Sequence, residues 1–344
     1  MFPSTFAPVS VAVDCIDGSW GSVRTLDESA TLSLRAVGLH YGQVAFEGLR
    51  AVPVSGQLHV FRPDLHHRRL ARSLERLSMP VVPGPVLGGA IAALLRRVTV
   101  PEDLGPDWFL YLRPLVLAVD EDWSMSGGRR FELRVLAGWT APAFHDVPEV
   151  RAMVDTGGRR ALAGTTGVVK VPANYGSAMS AQRRARSVGA YTVLWLTPGS
   201  RVVEEFTSMN ALVVIDGVLH APAPSAEVLD GVIRRSVLEL AGEAGVETSD
   251  EPVVWQAPDR SDGRASALLA TATAVGMVAV DHVAEVRDDG TVHAWRAEPG
   301  PAAELAELRR LVDDALLGRR SEQWWVDART LAAWPFDDEA GVGS

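Results

Sequence analysis

The chain has 344 residues, more than a single hydrophobic core usually supports, so we expect two domains. It is 47% hydrophobic and 22% charged, a composition typical of a globular protein in water. Its formal net charge of −10 argues against a nucleic acid or an anionic membrane as partner. One cysteine and eight scattered histidines argue against a disulfide framework and a structural metal site. With no run of transmembrane length, we expect a cytoplasmic protein.

The first half of the chain predicts strands and two helices. Ser55-Gly56 is a turn signal between two apolar runs, so we expect a hairpin there. Pro63 favours the first turn of a helix, and leucines at helical spacing continue it until Met79-Pro80. The expected elements are strands and loops over 1–40, hairpin strands over 49–54 and 57–61, helices over 63–79 and 86–97, and strands over 108–118 and 131–137.

The second half predicts a further domain behind a connecting segment. Residues 140–160 lose hydrophobic periodicity and contain two prolines and two glycines, so we take this segment as the connection. Strands and helices are mixed without strict alternation, which predicts an α+β chain with domains over 1–144 and 161–344 and an interdomain loop over 145–160. The expected elements are helices over 175–188, 231–241 and 302–317, a strand over 191–196, a hairpin over 212–220 and an apolar run over 265–280.

Lys170 is the only lysine in the chain, although lysine and arginine together number 33. Arginine keeps its proton at any accessible pH, whereas burial can deprotonate a lysine amine, which then attacks a carbonyl. The chemistry that needs such an amine is covalent, a Schiff base with a carbonyl substrate or with pyridoxal phosphate (PLP). The alternative is that codon bias replaced lysine by arginine and that one lysine survived by chance.

A PLP site also needs a carboxylate at the pyridine nitrogen, donors for the phosphate and a hydrogen bond to the phenolate oxygen. Tyr175, five residues beyond Lys170, is a candidate for the phenolate oxygen. Glu205 is a candidate carboxylate, although adjacent glutamates after an apolar strand are more often a solvated turn. Each remaining candidate is, by itself, more often a core or surface residue. These candidates are the amides of Gly231-Val232-Ile233, the hydroxyl of Thr273 and an arginine of helix 63–79 for the phosphate, and Tyr41 and Arg113 for the substrate.

Several motifs extend this pattern in order along the chain. They are HYGQVAFEG (40–48), FRPDL (61–65) with Arg69-Leu70, YLRP (111–114), GVVK (167–170) with Asn174-Tyr175, VLWL (193–196), Glu205 with Met209-Asn210, EPGP (298–301) and LGR (317–319). Together they closely resemble the branched-chain aminotransferases, which are class IV, fold-type IV PLP enzymes. The resemblance extends from about residue 17 to about residue 327.

The resemblance implies a smaller N-terminal α/β domain, a larger C-terminal β-barrel-like domain with helices, and a homodimer. It implies that Lys170 carries the Schiff base, that Glu205 holds the pyridine nitrogen and that Tyr175 binds the phenolate oxygen. The implied phosphate-binding residues are Arg69, Val232, Ile233 and Thr273, and the implied substrate-binding residues are Tyr41, Phe46, Tyr111, Arg113 and Ala274.

The chain departs from the family pattern at several points, among them Pro172-Ala173 in place of two glycines, a shorter loop before Lys170 and two altered loops. The phosphate loop usually reads Leu-Pro-Gly-Ile-Thr-Arg, and here it is LDGVIR (229–234). Ile233 therefore lacks the hydroxyl that the usual threonine offers to the phosphate, and Asp230 adds a negative charge close to that dianionic phosphate. One lost charge-assisted hydrogen bond costs roughly 1.5–3 kcal/mol, which weakens cofactor binding without excluding it. The usual Ser-Gly-Thr-Ala turn is replaced by TATA (271–274) next to the substrate carboxylate.

We therefore predict a PLP-dependent aminotransferase that moves the amino group of a branched-chain or other hydrophobic L-amino acid to 2-oxoglutarate. The altered loops leave open a specialised enzyme of secondary metabolism with this fold, a transaminase, lyase or decarboxylase acting on an unusual amino acid. A cofactor-free relic is a third alternative, and the retained Lys170, Tyr175 and Glu205 speak against it. We expect an amino acid and a 2-oxo acid as substrates, and no metal, nucleic acid or membrane.

Overall fold

A computed structural model describes residues 5–27, 29–125, 127–155, 158–161, 164–225, 227–256, 265–286, 292–296, 303–320 and 322–336. These residues pack as two compact units. The first is formed by the described residues within Met1–Ala143, Val169–Pro172 and Leu317–Ser344, and the second by those within Phe144–Val168 and Ala173–Leu316. Three separate segments of the chain therefore belong to the first unit, and one of them is the four-residue segment that contains Lys170.

The described elements mix strands and helices along the chain without strict alternation. The strands are β1 (Thr5–Phe6), β2 (Ser10–Ile16), β3 (Ser19–Trp20), β4 (Arg24–Leu26), β5 (Val44–Phe46), β6 (Leu49–Val54), β7 (Gln57–Phe61), β8 (Phe109–Ala118), β9 (Arg130–Thr140), β10 (Arg151–Asp155), β11 (Thr192–Leu196), β12 (Val203–Phe206), β13 (Asn210–Ile215), β14 (Val218–His220), β15 (Thr248–Ser249), β16 (Ala265–Ala272), β17 (Gly276–Ala279), β18 (His282–Val286), β19 (Val292–Arg296) and β20 (Trp325–Asp327). The α-helices are α1 (Val37–Tyr41), α2 (Pro63–Arg76), α3 (Gly84–Leu95), α4 (Ala173–Gly176), α5 (Met179–Ser187), α6 (Val232–Ala241) and α7 (Ala303–Leu316).

The first unit is an antiparallel sheet with helices packed on its core. Its strand order is β20-β7-β6-β8-β9-β2-β3, with β1 on β9, β4 on β2 and β5 on β8. Helix α2 starts with Pro63 in its first turn and buries Leu70 and Leu74, which lie four residues apart on one face. The predicted hairpin, helix 63–79 and helix 86–97 correspond to β6–β7, α2 and α3, within a few residues at each end.

The second unit is a mixed sheet of order β15-β14-β13-β12-β11-β10-β18-β19, to which β16 and β17 are added beside β13. Strand β10 pairs in parallel with both β11 and β18. Residues 151–155 of the expected interdomain loop therefore form a strand of this sheet. A central strand buried on both faces shows no alternation, and the apolar run Ala152–Val154 is too short to be distinguished by periodicity.

Two further predictions differ in detail from the structure. The expected helix over 175–188 is divided into α4 and α5, and Gly189 follows in a left-handed conformation with φ of 75°. The apolar run over 265–280 is the hairpin β16–β17, whose turn contains Thr273 and Ala274. The predicted motif at 298–301 lies outside the described residues.

In the part of the chain that the structure describes, no helix is long and apolar enough to cross a membrane. No cluster of three or more histidine, cysteine, aspartate or glutamate side chains suited to a metal ion occurs among the same residues.

Candidate active site

Lys170 is held by its main chain within the first unit. The neighbouring Val169 and Val171 are buried in the core, whereas Lys170 itself is only partly buried. Its N–H donates to the hydroxyl of Ser73 at 3.0 Å, and its carbonyl accepts from the N–H of Phe46 at 3.2 Å. The lysine is therefore attached on one side to helix α2 and on the other to strand β5.

The ring of Phe46 contacts two cationic side chains. The Lys170 Nζ lies 4.9 Å from the ring centroid and the Arg113 guanidinium carbon 4.7 Å from it, both within the range of a cation–π contact. Arg113 also donates through Nη2 to the hydroxyl of Tyr111 at 2.9 Å. A methyl group on Gly48 would overlap that hydroxyl, so only glycine leaves room for Tyr111 here. The structure thus brings together four of the predicted residues, Lys170, Phe46, Tyr111 and Arg113.

Arg69 lies on the same helix as Ser73 and is bound by a carboxylate that is fully buried. Its Nε donates to Oε1 of Glu47 at 2.7 Å and its Nη2 to Oε2 at 2.9 Å, the two-point geometry that suits a guanidinium and a carboxylate. Nδ1 of His66 lies 2.8 Å from the same Oε2. Ser73 donates to the carbonyl of Arg69 at 2.9 Å, so Arg69 and Lys170 are linked through one hydroxyl.

The surroundings of Glu47 and His66 lower the pKa values of both groups. Burial by itself raises the pKa of the Glu47 carboxyl, but the charge and hydrogen bonds of Arg69 and His66 outweigh it and hold that pKa well below its usual range. Burial lowers the pKa of His66, and the positive charges of Arg69 and Lys170 lower it further, against the opposing effect of Glu47. Glu47 is therefore ionised and His66 neutral at pH 7.

In the second unit, Glu205 is buried and has several hydrogen-bonding partners. Asn210 Nδ2 donates to its Oε2 at 2.9 Å and also to the carbonyl of Leu229 at 2.8 Å. Arg160 forms a buried ion pair with Oε1. Arg160 is held in turn by the carbonyl of Glu227, to which its Nη2 donates at 2.6 Å. The carboxylate is therefore fixed on both oxygens, and the interpretation of a solvated turn does not hold for Glu205.

Helix α6 begins directly after the turn that Asn210 holds. Its N-cap is Gly231, and Val232 and Ile233 are its first two residues, whose amides have no acceptor within the helix. Asp230 precedes them and is neutralised by Arg235, which donates through Nε to its Oδ1 at 2.7 Å and pairs with Oδ2 through Nη2. The negative charge that Asp230 brings to this turn thus has a nearby counter-charge.

The other predicted residues lie in elements of their own. Tyr175 is partly buried in the short helix α4, and Thr273 and Ala274 are partly buried in the β16–β17 turn. Thr271, at the end of β16, pairs in register with Asn210. Tyr41 is half exposed and donates its hydroxyl to the carbonyl of Trp123 at 2.9 Å, in the first unit.

Sequence reasoning assigned no role to five residues that hold the predicted ones in position. Two of them lie inside the family motifs, and the other three are polar or charged side chains that the fold buries. They are Glu47, His66, Ser73, Arg160 and Asn210. In the sequence, these residues are marked only by being polar at positions that face the core. Their roles can be recognised only once their partners are known.

Comparison with known proteins shows the family. The family profile described as "Amino-transferase class IV" matches residues 44–283, more than half of the chain. The chain belongs to the class IV aminotransferase family. The predicted family resemblance and the fold-type IV prediction are confirmed, and with them the prediction of a PLP-dependent aminotransferase.

Over the aligned stretches, curated members of the family are identical to this chain at about a third of the positions. It is 34% identical over 235 residues to "Branched-chain-amino-acid transaminase 1" of Bacillus subtilis (strain 168), and the match covers 67% of this chain and 64% of that relative. It is 32% identical over 259 residues to "Probable branched-chain-amino-acid aminotransferase" of Staphylococcus epidermidis, covering 73% and 72%.

Solved structures share the fold at lower identity. The branched-chain aminotransferase of the archaeon Thermoproteus uzoniensis with norvaline superposes with a TM-score of 0.73 at 22% identity, covering 92% of this chain and 99% of that one. The branched-chain amino acid aminotransferase of Thermobaculum terrenum in its PLP-bound form also gives a TM-score of 0.73 at 22% identity, covering 94% of this chain and 99% of that one.

Proposed function

We propose that this aminotransferase moves the amino group of a branched-chain or other hydrophobic L-amino acid to 2-oxoglutarate, with PLP attached to Lys170. The observation that carries the proposal is the setting of Lys170, the only lysine in the sequence. Its main chain is bonded on both sides, and its amine lies against Phe46. The names of the curated relatives, which are branched-chain aminotransferases, support the substrate class.

The residues of the chain suit PLP. Its phosphate needs cations and N–H donors, which Arg69 and the amides of the first turn of α6 supply. Its pyridine nitrogen needs a buried acceptor, which the Glu205 carboxylate supplies. The hydroxyl of Thr271 is buried and has no hydrogen-bond partner among the described residues. When bound, PLP supplies an aldehyde that condenses with amines and a ring that withdraws electrons.

Each residue then has a defined task. Lys170 holds the cofactor through Nζ and, once released, moves a proton with the same atom. Glu205 accepts a hydrogen bond from the protonated pyridine nitrogen, and Tyr175 donates to the phenolate oxygen. Arg69, Thr273 and the amides of Val232 and Ile233 bind the phosphate. The paired Asp230 and Arg235 support this last assignment, because the turn carries no uncompensated negative charge.

The substrate assignments rest on Arg113 and its neighbours. Arg113 stacks on Phe46 and bonds to Tyr111, but its Nε is buried without a hydrogen-bond partner among the described residues. A guanidinium with unused donor capacity suits a carboxylate, and 2-oxoglutarate carries a second carboxylate that hydrophobic 2-oxo acids lack. Phe46, Tyr111 and Tyr41 are proposed to contact the substrate side chain, and Ala274 the α-carboxylate through its amide.

A specialised enzyme that uses the same cofactor is the second candidate. It is favoured by the turn over 271–274, where Thr271 replaces the usual serine and Ala272 the usual glycine. Ala272 brings a methyl group next to the proposed carboxylate site, which narrows it. This candidate predicts that branched-chain amino acids are poor donors although PLP is bound.

We also propose a homodimer, supported by an exposed apolar patch on the first unit. Tyr41 and Trp123 are joined by a hydrogen bond, and the rings of Trp123 and His40 lie 4.8 Å apart. The patch consists of side chains that are at least half exposed, Leu34, Leu39, Tyr41, Trp123 and Met125. Contiguous exposed apolar groups of this kind mark interaction surfaces. Light scattering of the protein and of a Met125→Asp variant tests this, and a wild-type monomer would contradict it.

The experiment that tests the function starts from the visible absorption spectrum of the purified protein with added PLP. Borohydride reduction makes the attachment permanent, and mass spectrometry of the digest then locates it. We expect the label on Lys170 in the wild-type chain and no side-chain label in Lys170→Ala. A panel of amino donors with 2-oxoglutarate follows, in which leucine, isoleucine and valine should be the best donors.

The outcomes separate the candidates. A labelled Lys170 with poor turnover of every branched-chain donor would favour the specialised enzyme. A wild-type protein that takes up no PLP would contradict both candidates and leave the cofactor-free relic.

A further inference from the structure

Glu47 is the most deeply buried of the described carboxylates of the first unit. Four donors meet its two oxygens. They are Nε and Nη2 of Arg69, the His66 ring at 2.8 Å and the N–H of Gly48 at 3.1 Å. The N–H of Glu47 itself donates to the carbonyl of Pro114 at 2.8 Å, which fixes the main chain at this point.

The side chains of helix α2 that bind Glu47 lie on one face of the helix. His66 and Arg69 are three residues apart, and Ser73 follows four residues later, so all three lie on the same side of the helix. His66 and Arg69 contact Glu47, whereas Ser73 contacts Lys170. Glu47 also follows Phe46, whose N–H holds the Lys170 carbonyl. One short segment and one helix face therefore position both the lysine and the arginine.

We propose that Glu47 is a positioning residue that fixes the guanidinium plane of Arg69 for the phosphate of the cofactor. This rests on the proposed function of Arg69. A guanidinium binds phosphate best through two parallel N–H bonds, which require a defined plane. Bonds to both Nε and Nη2 leave the guanidinium no rotation about its last side-chain bond.

A role in stability alone predicts something different. A buried ion pair contributes little net stability, because the loss of hydration offsets the attraction between the charges. If Glu47 served only the fold, replacing it would weaken the binding of all ligands of the site equally. If Glu47 orients Arg69, replacing it weakens the binding of those ligands that carry a phosphate.

The test compares PLP with pyridoxal, which has the same ring and aldehyde but no phosphate. Dissociation constants for both are measured by visible absorbance on the wild-type chain, on Glu47→Gln and on Glu132→Gln. Glu132 is the matched control, since it is a buried carboxylate on β9 of the same sheet and pairs with Arg24 and Arg134. We expect Glu47→Gln to weaken PLP about tenfold or more and pyridoxal less than about twofold, and Glu132→Gln to weaken neither.

Further variants close the remaining alternatives. The double variant Glu47→Gln/Arg69→Gln should bind PLP as weakly as Arg69→Gln alone, within about twofold, because the carboxylate then has no guanidinium to orient.

Equal weakening of PLP and pyridoxal in Glu47→Gln, or tighter PLP binding, would overturn the proposal. If Glu47→Gln does not fold, Glu47→Asp takes its place with the same expected selectivity, and failure of both to fold would show that Glu47 serves the fold instead. A wild-type chain that binds neither compound would overturn the proposed function itself.

Discussion

Asn210 and Gly231 pack so closely that a methyl group on Gly231 would overlap the side-chain oxygen of Asn210. The amide nitrogen of the same asparagine donates to Glu205 and to the carbonyl of Leu229. Asn210 thus connects the carboxylate proposed for the pyridine nitrogen with the turn that opens helix α6. The geometry of both depends on a glycine at position 231.

Gly231→Ala should therefore weaken PLP binding. The added methyl displaces Asn210, which removes hydrogen bonds from both Glu205 and the turn, and we expect the dissociation constant to rise about tenfold or more. An absorbance titration with PLP measures it. Gly242→Ala is the control, because Gly242 lies at the other end of α6 with φ of −61° and open space around it. A Gly231→Ala chain that binds PLP as tightly as Gly242→Ala would contradict the role given to Asn210.

Much of the fold could be predicted from local signals. The β6–β7 hairpin has Ser55-Gly56 at its turn, and α2 has Pro63 in its first turn, so sequence neighbours alone define them. Strand β10 could not be predicted in this way. Its partners are β11 and β18, and parallel pairing with strands distant in the chain leaves no local turn or alternation to detect.

The residues of the candidate site also fall into two groups, those with a local signal in the sequence and those without one. The sequence predicts Lys170 because it is the only lysine, and Glu205 because it follows an apolar strand and lies in a family motif. Glu47 and its partner Arg69 are 22 residues apart, and Asn210 and its partner Leu229 are 19 apart. Hydrogen bonds across such separations depend on the fold rather than on spacing, so the residues that orient the site became apparent only from the structure.

The ion pair between Asp230 and Arg235 makes a prediction about the altered phosphate turn. Arg235→Ala leaves the negative charge of Asp230 beside the proposed phosphate site, and we expect PLP to bind about fivefold more weakly, a repulsion on the order of 1 kcal/mol. The double variant Asp230→Asn/Arg235→Ala should recover wild-type affinity. If the single and double variants bind PLP equally, charge at this turn does not influence the cofactor. The measurement is the same titration, repeated at low and high salt.

His66 predicts how the stability of the protein depends on pH. Its pKa is lowered in the folded chain, so below the ordinary value of about 6.5 the unfolded chain takes up a proton that the folded chain does not. Stability is therefore lost as the pH falls below about 6.5. Glu47, whose folded pKa is also lowered, adds a loss only below its own ordinary value of about 4.3. The groups facing His66 are Glu47, Arg69 and Lys170.

Between pH 6.5 and 5 the contribution of the imidazole is isolated by comparing the wild-type chain with a variant that lacks His66. His66→Asn should reduce the slope of unfolding free energy with pH there by up to about 1.4 kcal/mol per pH unit. Chemical denaturation at several pH values measures the slope, and His59→Asn, a histidine on β7, controls for the loss of a histidine as such. An unchanged slope in His66→Asn would show that the imidazole is not kept neutral by its burial.

The proposed role of Arg113 predicts how 2-oxoglutarate is distinguished from a hydrophobic 2-oxo acid. Removing the guanidinium in Arg113→Leu takes away the partner proposed for the second carboxylate of 2-oxoglutarate, at a cost of roughly 1.5–3 kcal/mol, so its KM should rise about ten- to a hundredfold. The KM for the 2-oxo acid derived from leucine, which has no second carboxylate, should change less than about twofold. Arg113→Lys keeps the charge but not the planar fork, and we expect an intermediate KM for 2-oxoglutarate. Equal increases for both acids would contradict the assignment, because they would mean that Arg113 acts through the shared α-carboxylate or through the Phe46 ring on which it stacks.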